Sequence, residues 1–422
     1  MNRKYQTLLA VIMLASTLLS ACGSKVTPTQ TSKPVPAQPQ ATAVPATVIV
    51  EVTRVVAGTP EITKVVITAT PAATKPPAAT DTPAPTALPA GSVQLNGAGA
   101  TFPLPVYTEW IFAFQYVDPS VTLNYQGIGS GGGKKAILDN TVDFAGSDSV
   151  LKDAEYQQGV DLQMYPMLAG AVVPIYNVEG ITKTVTLSRD VLVGIYNAKI
   201  TRWNDPAIIV LNPGLNLPDK NITAVHRSDA SGTTEMFTNA LAAFSEEWMN
   251  SVGAGSAVEW PVDKAGNGIG GKGNQGVAAA VQNTPNSIGY VELSYAVANK
   301  IAYANMINKA GTTVTANADS IASAMADFPD FSDKLTNKIV DGPGAQSWPI
   351  TGYTYIILPT TSMQDCLKAQ KLLEFLYWAL TDAGAAKRAA DLGYAVLPSA
   401  VQTQVLAKLG QVTCSGNPVL NK

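Results

Sequence analysis

The chain has 422 residues, 46% hydrophobic and only 14% charged, with a formal net charge of −3. From about Ser92 onward Asp and Glu outnumber Lys and Arg by 28 to 21, a net of about −7, which argues against nucleic acid as a partner. One histidine, His226, and three cysteines are too few for a zinc site of His and Cys clusters, so neither a metal nor a cofactor is expected.

In chain order, Arg3 and Lys4 precede an apolar run from about Leu8 to Leu19. That run is too short to span a bilayer and has the charge order of an export signal. It ends in Leu19-Ser20-Ala21-Cys22, which resembles a bacterial lipobox. The resemblance implies a signal peptide at residues 1–21 and lipidation of Cys22. It also implies an exported protein, anchored at the outer face of the cytoplasmic membrane, facing the periplasm or the cell surface. Residues 22–92 are dominated by Thr, Pro, Ala and Val and cannot bury a core, so they read as a disordered linker. Inside it Glu51-Val52-Thr53-Arg54-Val55-Val56 recurs ten residues later as Glu61-Ile62-Thr63-Lys64-Val65-Val66. Both copies alternate apolar and polar residues, the pattern of a hairpin.

Beyond the linker, short apolar strands alternate with helical patterns, which marks an α/β fold. Val93–Asn96 reads as a strand and Gly97–Phe102 as a loop. Pro103 opens a helix with Tyr107, Trp110, Ile111 and Phe114 on one face. A strand at Val121–Tyr125, a glycine-rich loop at Gly127–Gly133 and a helix near Lys134–Asp139 follow. Next come a strand at Val142–Ala145 and a turn at Gly146–Ser149. Met164–Tyr176 is an apolar run that leads out of a first lobe, and Ile222–His226 is a strand of a second. Ile350–Leu358 returns to the first lobe. A helix near Leu367–Leu380 completes it, burying Leu372, Leu373, Leu376 and Leu380. Residues 93–176 and 350–422 are therefore expected to form lobe I, and 177–349 lobe II. Cys366 and Cys414, both in the last segment, suggest one disulfide that would pin the tail.

Arg227-Ser228-Asp229-Ala230-Ser231-Gly232-Thr233 places a guanidinium, hydroxyls and a glycine amide at the mouth of a helix over Thr233–Phe244. A helix start offers unpaired N–H groups and partial positive charge, which suits an anion. Three further strands run out into loops of small polar residues: Gly99-Ala100-Thr101-Phe102-Pro103, Gly127-Ile128-Gly129-Ser130-Gly131-Gly132 and Asp143-Phe144-Ala145-Gly146-Ser147-Asp148. In open α/β sheets such loops converge where ligands bind.

In this order and spacing the four loops resemble the phosphate-binding protein family of the bacterial phosphate-specific ABC transporter. Agreement extends through Trp260-Pro261, Gly270-Gly271-Lys272-Gly273-Asn274, Ser287-Ile288-Gly289-Tyr290-Val291-Glu292, Trp348-Pro349-Ile350 and Leu392-Gly393-Tyr394, essentially over residues 93–410. The resemblance implies a two-lobed periplasmic-binding-protein-like fold of type II, with the ligand cleft between the lobes. Thr101 and Phe102 would contribute a hydroxyl and main-chain amides, Ser130 its hydroxyl and amide, and Asp148 a carboxylate. From lobe II, Arg227, Ser231, Gly232 and Thr233 would hold inorganic phosphate, with Asp229 bracing the arginine. Gly131 departs from the pattern, standing where some members carry a second serine. The implied partners are phosphate and the membrane permease of the importer, and a monomeric binding domain is expected.

The chemistry is consistent with this assignment. An ionised Asp148 only accepts hydrogen bonds, so it welcomes a protonated oxyanion and repels a bare one. Other readings are weaker. Gly127–Gly133 followed by Lys134 lacks the glycine and Ser/Thr spacing of a nucleotide P-loop. An exported phosphatase using Ser231 would need a base, and His226, five residues away, is expected to be a surface or packing residue. A sulfate or molybdate carrier is disfavoured by Asp148.

Overall fold

The computed structural model of the chain describes residues 47–56, 59–68, 92–158, 161–181 and 183–420. The expected signal peptide, Cys22 and the rest of the linker lie outside them. By internal contact the chain falls into two units, Met1–Thr86 and Ala87–Lys422. In the first, strands Thr47–Val56 and Thr59–Thr68 pair antiparallel, setting Glu51 opposite Lys64 and Arg54 opposite Glu61. The ten-residue repeat thus pairs with itself.

The second unit is a mixed α/β fold around one continuous sheet. Its main strands are β1 (Val93–Gly99), β2 (Val121–Gly127), β3 (Phe144–Ser147), β4 (Leu162–Asn177), β5 (Thr223–Arg227), β6 (Gly268–Gly271), β7 (Ser287–Glu292) and β8 (Thr351–Pro359). The spatial order is β2-β1-β3-β8-β4-β7-β5-β6. Strands β2, β1 and β3 are mutually parallel, as are β7, β5 and β6. Between the two sets, β4 runs antiparallel to both its neighbours: residues 162–171 pair with β8 and residues 172–177 with β7. One strand of 16 residues thus hands the chain from one parallel set to the other.

Both β4 and β8 are buried along nearly their whole length, which explains why they read as continuous apolar runs rather than alternating ones. The pairing slips between Thr354 and Tyr355, opposite Pro166, and a bulge is where a strand tolerates proline. Helix α1 (Leu104–Phe114) buries Tyr107, Trp110 and Phe114, and Phe114 packs edge-on against Phe375 of a C-terminal helix spanning Cys366–Thr381. On the other side of the sheet order, Tyr196, Phe237, Trp260 and Tyr290 form an aromatic cluster, with Phe237 stacked on Tyr290 at 4.1 Å. Each such buried ring contributes on the order of 2–3 kcal/mol. Among the described residues no helix is long and apolar enough to cross a membrane.

Two local expectations are corrected. Helix α2 spans Ser130–Leu138, so it starts at Ser130 rather than near Lys134. Its glycines are there for close approach: a Cβ on Gly133 would lie 2.5 Å from Gly99 Cα, and one on Gly131 2.5 Å from Ala230 Cβ. Strand β3 starts at Phe144 rather than Val142. The Asp143 carboxylate takes the Asn96 N–H at 2.8 Å, so the ladder begins one residue later, with Phe144 opposite Gly97.

Candidate anion-binding site

Two sets of three parallel strands, running in opposite directions, end at one place. The carboxyl ends of β1, β2 and β3 deliver Thr101, Ser130 and Asp148, and those of β5, β6 and β7 deliver Arg227, Asn274 and Glu292. Two of these strands lead straight into helix starts: β5 into α3 (Gly232–Phe244) and β6 into α4 (Gly273–Asn283). The convergence follows from the topology, because the two parallel sets flank β8 and β4 and present their carboxyl ends toward each other.

The site residues from the two sets are in direct contact. Ser130 Oγ accepts hydrogen bonds from the backbone N–H of Asp148 and of Gly232, each at 3.1 Å, and donates to Asp148 Oδ2 at 3.3 Å. The Gly131 N–H donates to the Ala230 carbonyl at 3.1 Å. A Cβ on Gly232 would fall 2.5 Å from both Ser130 Oγ and Asp148 Cβ, so only glycine allows the start of α3 to come this close. At Gly131 the family's second serine would collide with Ala230, which accounts for the departure seen in the sequence.

Arg227 is almost wholly buried. Its Nε and Nη2 donate to the two carboxylate oxygens of Asp229 at 2.7 and 2.5 Å, a bidentate fork that fixes the guanidinium plane. Burial pushes the Asp229 carboxyl up, but the Arg227 fork and the Gly273 amide outweigh it and hold the group below the usual range. The remaining Nη1 donates to Thr233 Oγ1 at 3.4 Å.

Asp148 is buried, and Thr354 of β8 donates to its Oδ1 at 2.8 Å. Burial pushes its carboxyl up to about 7, against the hydrogen bonds from Thr354 and Ser130 and the charge of Arg227. The ordinary ionised carboxylate expected from sequence is therefore a group poised at neutral pH. Desolvation, invisible to a residue count, is the reason.

The other expected residues are placed as follows. Thr101 is buried, its hydroxyl facing Asn274 and its carbonyl accepting from Tyr295 Oη at 2.5 Å. Phe102 lies in the core with its carbonyl bonded to Tyr394 Oη at 2.7 Å. Ser231 caps α3, its hydroxyl accepting from the Thr234 N–H at 3.0 Å. His226 is a packing residue: it stacks on Trp260 at 5.0 Å and its Nε2 lies 2.8 Å from Asp263. Cys366 and Cys414 are bonded, with Cα atoms 5.4 Å apart. A cleft of about 360 Å³ adjoins Asp148, walled by Val150, Glu235, Met236, Lys338 and Tyr353 among others; no other expected ligand residue reaches it.

Three residues escaped the sequence reading of the site. Thr354 is a polar residue inside an apolar strand, which was the available signal. Asn274 follows a glycine run after a strand, just as Ser130 does. Glu292 is fully buried at the end of β7; burial pushes its carboxyl up to about 8, against hydrogen bonds from Ser294 and Tyr394. Its Oε2 lies 2.9 Å from Tyr394 Oη, while among the described residues Oε1 has no partner.

Comparison with known proteins agrees with this architecture. The chain matches the PBP superfamily domain over residues 72–383. It is 40% identical over 318 residues to the phosphate-binding protein PstS of Xylella fastidiosa strain Temecula1, covering 75% of this chain and 85% of that one. It is also 40% identical over 316 residues to PstS of Pasteurella multocida, covering 74% and 89%. A crystal structure of a phosphate-binding protein from Stenotrophomonas maltophilia shares the fold at 23% identity, with a TM-score of 0.58 over 75% of this chain and 94% of that one. A domain match over most of the chain and this identity to whole relatives place it: the chain belongs to the PBP superfamily, in the family of the PstS proteins.

Proposed function

We propose that the chain binds inorganic phosphate outside the cytoplasmic membrane and delivers it to the permease of an ABC importer, making and breaking no bond. The supporting observation is the meeting of a clamped, buried Arg227 with the hydroxyls of Thr101, Ser130 and Thr233 and one buried carboxyl, Asp148. Lobe I (93–176 and 350–422) would supply Thr101, Phe102, Ser130 and Asp148. Lobe II (177–349) would supply Arg227, Ser231, Gly232 and Thr233. Each lobe alone satisfies part of the ion, so the closed form is favoured by the ligand's differential affinity for it.

The carboxyl poised at about 7 suits this role. Phosphate near neutral pH retains at least one proton and sulfate none, so one proton lies between Asp148 and phosphate whichever partner brings it. Sulfate facing an ionised Asp148 leaves two acceptors opposed in a dry site, at a cost of about 1–3 kcal/mol or more. Attachment through lipidated Cys22, a monomeric state and the assignment of each ligand residue belong to the same proposal.

Titration calorimetry of the anion-stripped domain with phosphate, arsenate and sulfate in parallel tests it. Phosphate and arsenate should compete for one site, and at pH 8, where Asp148 is ionised, sulfate should not bind. Sulfate binding as tight as phosphate would overturn the reading. A phosphatase reading finds no support in the geometry, because His226 is engaged by Asp263 and Trp260 and leaves Ser231 without a base.

A further inference from the structure

A hydroxyl has one proton to give and two lone pairs to accept with, so counting what it accepts reveals where its proton must go. Thr101 Oγ1 accepts from the Asn274 backbone N–H at 3.1 Å and from Asn274 Nδ2 at 2.8 Å. Thr233 Oγ1 accepts from Asn274 Nδ2 at 3.1 Å and from Arg227 Nη1 at 3.4 Å. The two amide protons of Asn274 thus serve one threonine each. Its Oδ1 accepts the Glu292 N–H at 2.9 Å, which rules out the flipped amide, since a flip would set an NH2 group against that N–H. Asn274, Thr101 and Thr233 are all buried. Among the described residues neither threonine hydroxyl donates to a protein acceptor.

We infer that Asn274 is a positioning residue for oxyanion selectivity: by filling both lone pairs of Thr101 and, together with Arg227, those of Thr233, it makes both hydroxyls obligate donors to the ligand. The inference rests on the phosphate reading and refines it. Two oxygens of the ion must then be bare where they meet Thr101 and Thr233, because a protonated oxygen there would have nothing to donate to. The ligand's proton is directed to Asp148. Selectivity thereby has two parts, a carboxyl that wants the proton and two hydroxyls that refuse it.

Two variants test this against wild type by calorimetry with phosphate between pH 5 and pH 8, with thermal melting as a check on folding. In Asn274→Asp the new carboxylate accepts both threonine protons and adds a charge beside the anion. Its affinity at pH 8 should fall about 100-fold or more. It should recover relative to wild type as pH drops, because a protonated carboxyl again offers a donor and sheds its charge. In Asn274→Ala one lone pair on each threonine is freed, since the backbone N–H and Arg227 still donate, so affinity should fall about tenfold, with a pH profile parallel to wild type. Arg227, Asp229, Glu292 and Asp148 are the charged groups around this position, and they are common to all three proteins. Their titration therefore cancels between wild type and Asn274→Ala, and the pH dependence peculiar to Asn274→Asp reports the new carboxylate together with its coupling to them. Equal losses in the two variants at pH 8, or an alanine variant binding like wild type, would overturn the inference while wild-type phosphate binding stands. Should the aspartate variant not fold, the alanine variant decides alone. Wild-type protein that binds no phosphate would remove the functional reading and this inference together.

Discussion

Asp148 and Glu292 are carboxyls of one kind at sequence level, yet burial treats them as two pH-dependent devices. For Asp148, pushed up to about 7, the shared proton comes from the carboxyl at lower pH and from phosphate, which keeps its last proton, at higher pH; sulfate has none to give once Asp148 is ionised. Sulfate affinity should therefore fall above about pH 7 while phosphate binding persists. Asp148→Asn should flatten that fall and narrow the phosphate-to-sulfate preference by about tenfold or more, read from parallel calorimetric titrations. An unchanged preference would remove Asp148 from the selectivity mechanism. For Glu292 the consequence is stability. Its folded value, about 8, lies above that of an unfolded glutamate, so the native state holds the proton more tightly. The stabilisation is complete below the unfolded value near 4.3 and is lost as pH climbs toward 8, a change on the order of a few kcal/mol. Glu292→Gln should lose less stability than wild type between pH 5 and pH 8, measured as urea midpoints. Asp148 contributes a slope of the same sign, so the comparison must be made with Asp148 intact in both.

At the scale of elements, glycines decide how closely the start of α3 approaches the loops after β2 and β3. Gly232→Ala should push α3 away from Ser130 and Asp148, because its Cβ has no room. Phosphate affinity should drop about 100-fold with little change in thermal midpoint, since the clash arises only when the two strand sets close on each other. A variant that binds normally would show that the observed approach is not the binding form. The helix Cys366–Thr381 is tied to Cys414 by a disulfide across 48 residues of sequence. Closing a loop of that length is worth about 2–4 kcal/mol by chain entropy. Reduction should lower the thermal midpoint while leaving phosphate affinity unchanged, because neither cysteine touches a ligand residue. The four anion loops were legible in the sequence as strand-then-glycine patterns. The start of α2 was not, because three successive glycines argue for a loop by propensity, and only their contacts with Gly99 and Ala230 explain why a helix keeps them.

Over the whole molecule, two segments cross between the strand sets and lie side by side. Strand β4 changes partner at Ala171–Val172, and the returning chain meets it there: the Val172 N–H donates to the Ile350 carbonyl at 2.9 Å, and Trp348 Nε1 to the Val172 carbonyl at 3.0 Å. Such a pair of strands is the natural swivel for lobes that close on a ligand. Small-angle scattering should find the phosphate-saturated domain more compact than the stripped one; identical radii of gyration would argue against closure. The net charge of about −7 beyond the linker repels an anion at a distance. Attraction must therefore come from helix starts and one clamped arginine at short range.

Composition, periodicity and turn chemistry by themselves determined the α/β class, the run of strands and the loops that suit an oxyanion. These signals act within about a dozen residues of chain, where backbone geometry and side-chain patterning are coupled. The tertiary structure alone decided which hydroxyl faces which amide and which carboxyl is dry. Asn274 meets Thr101 across 173 residues and Thr354 meets Asp148 across 206. Lone pairs and desolvation are properties of neighbours in space, and no local pattern in a chain specifies who those neighbours are.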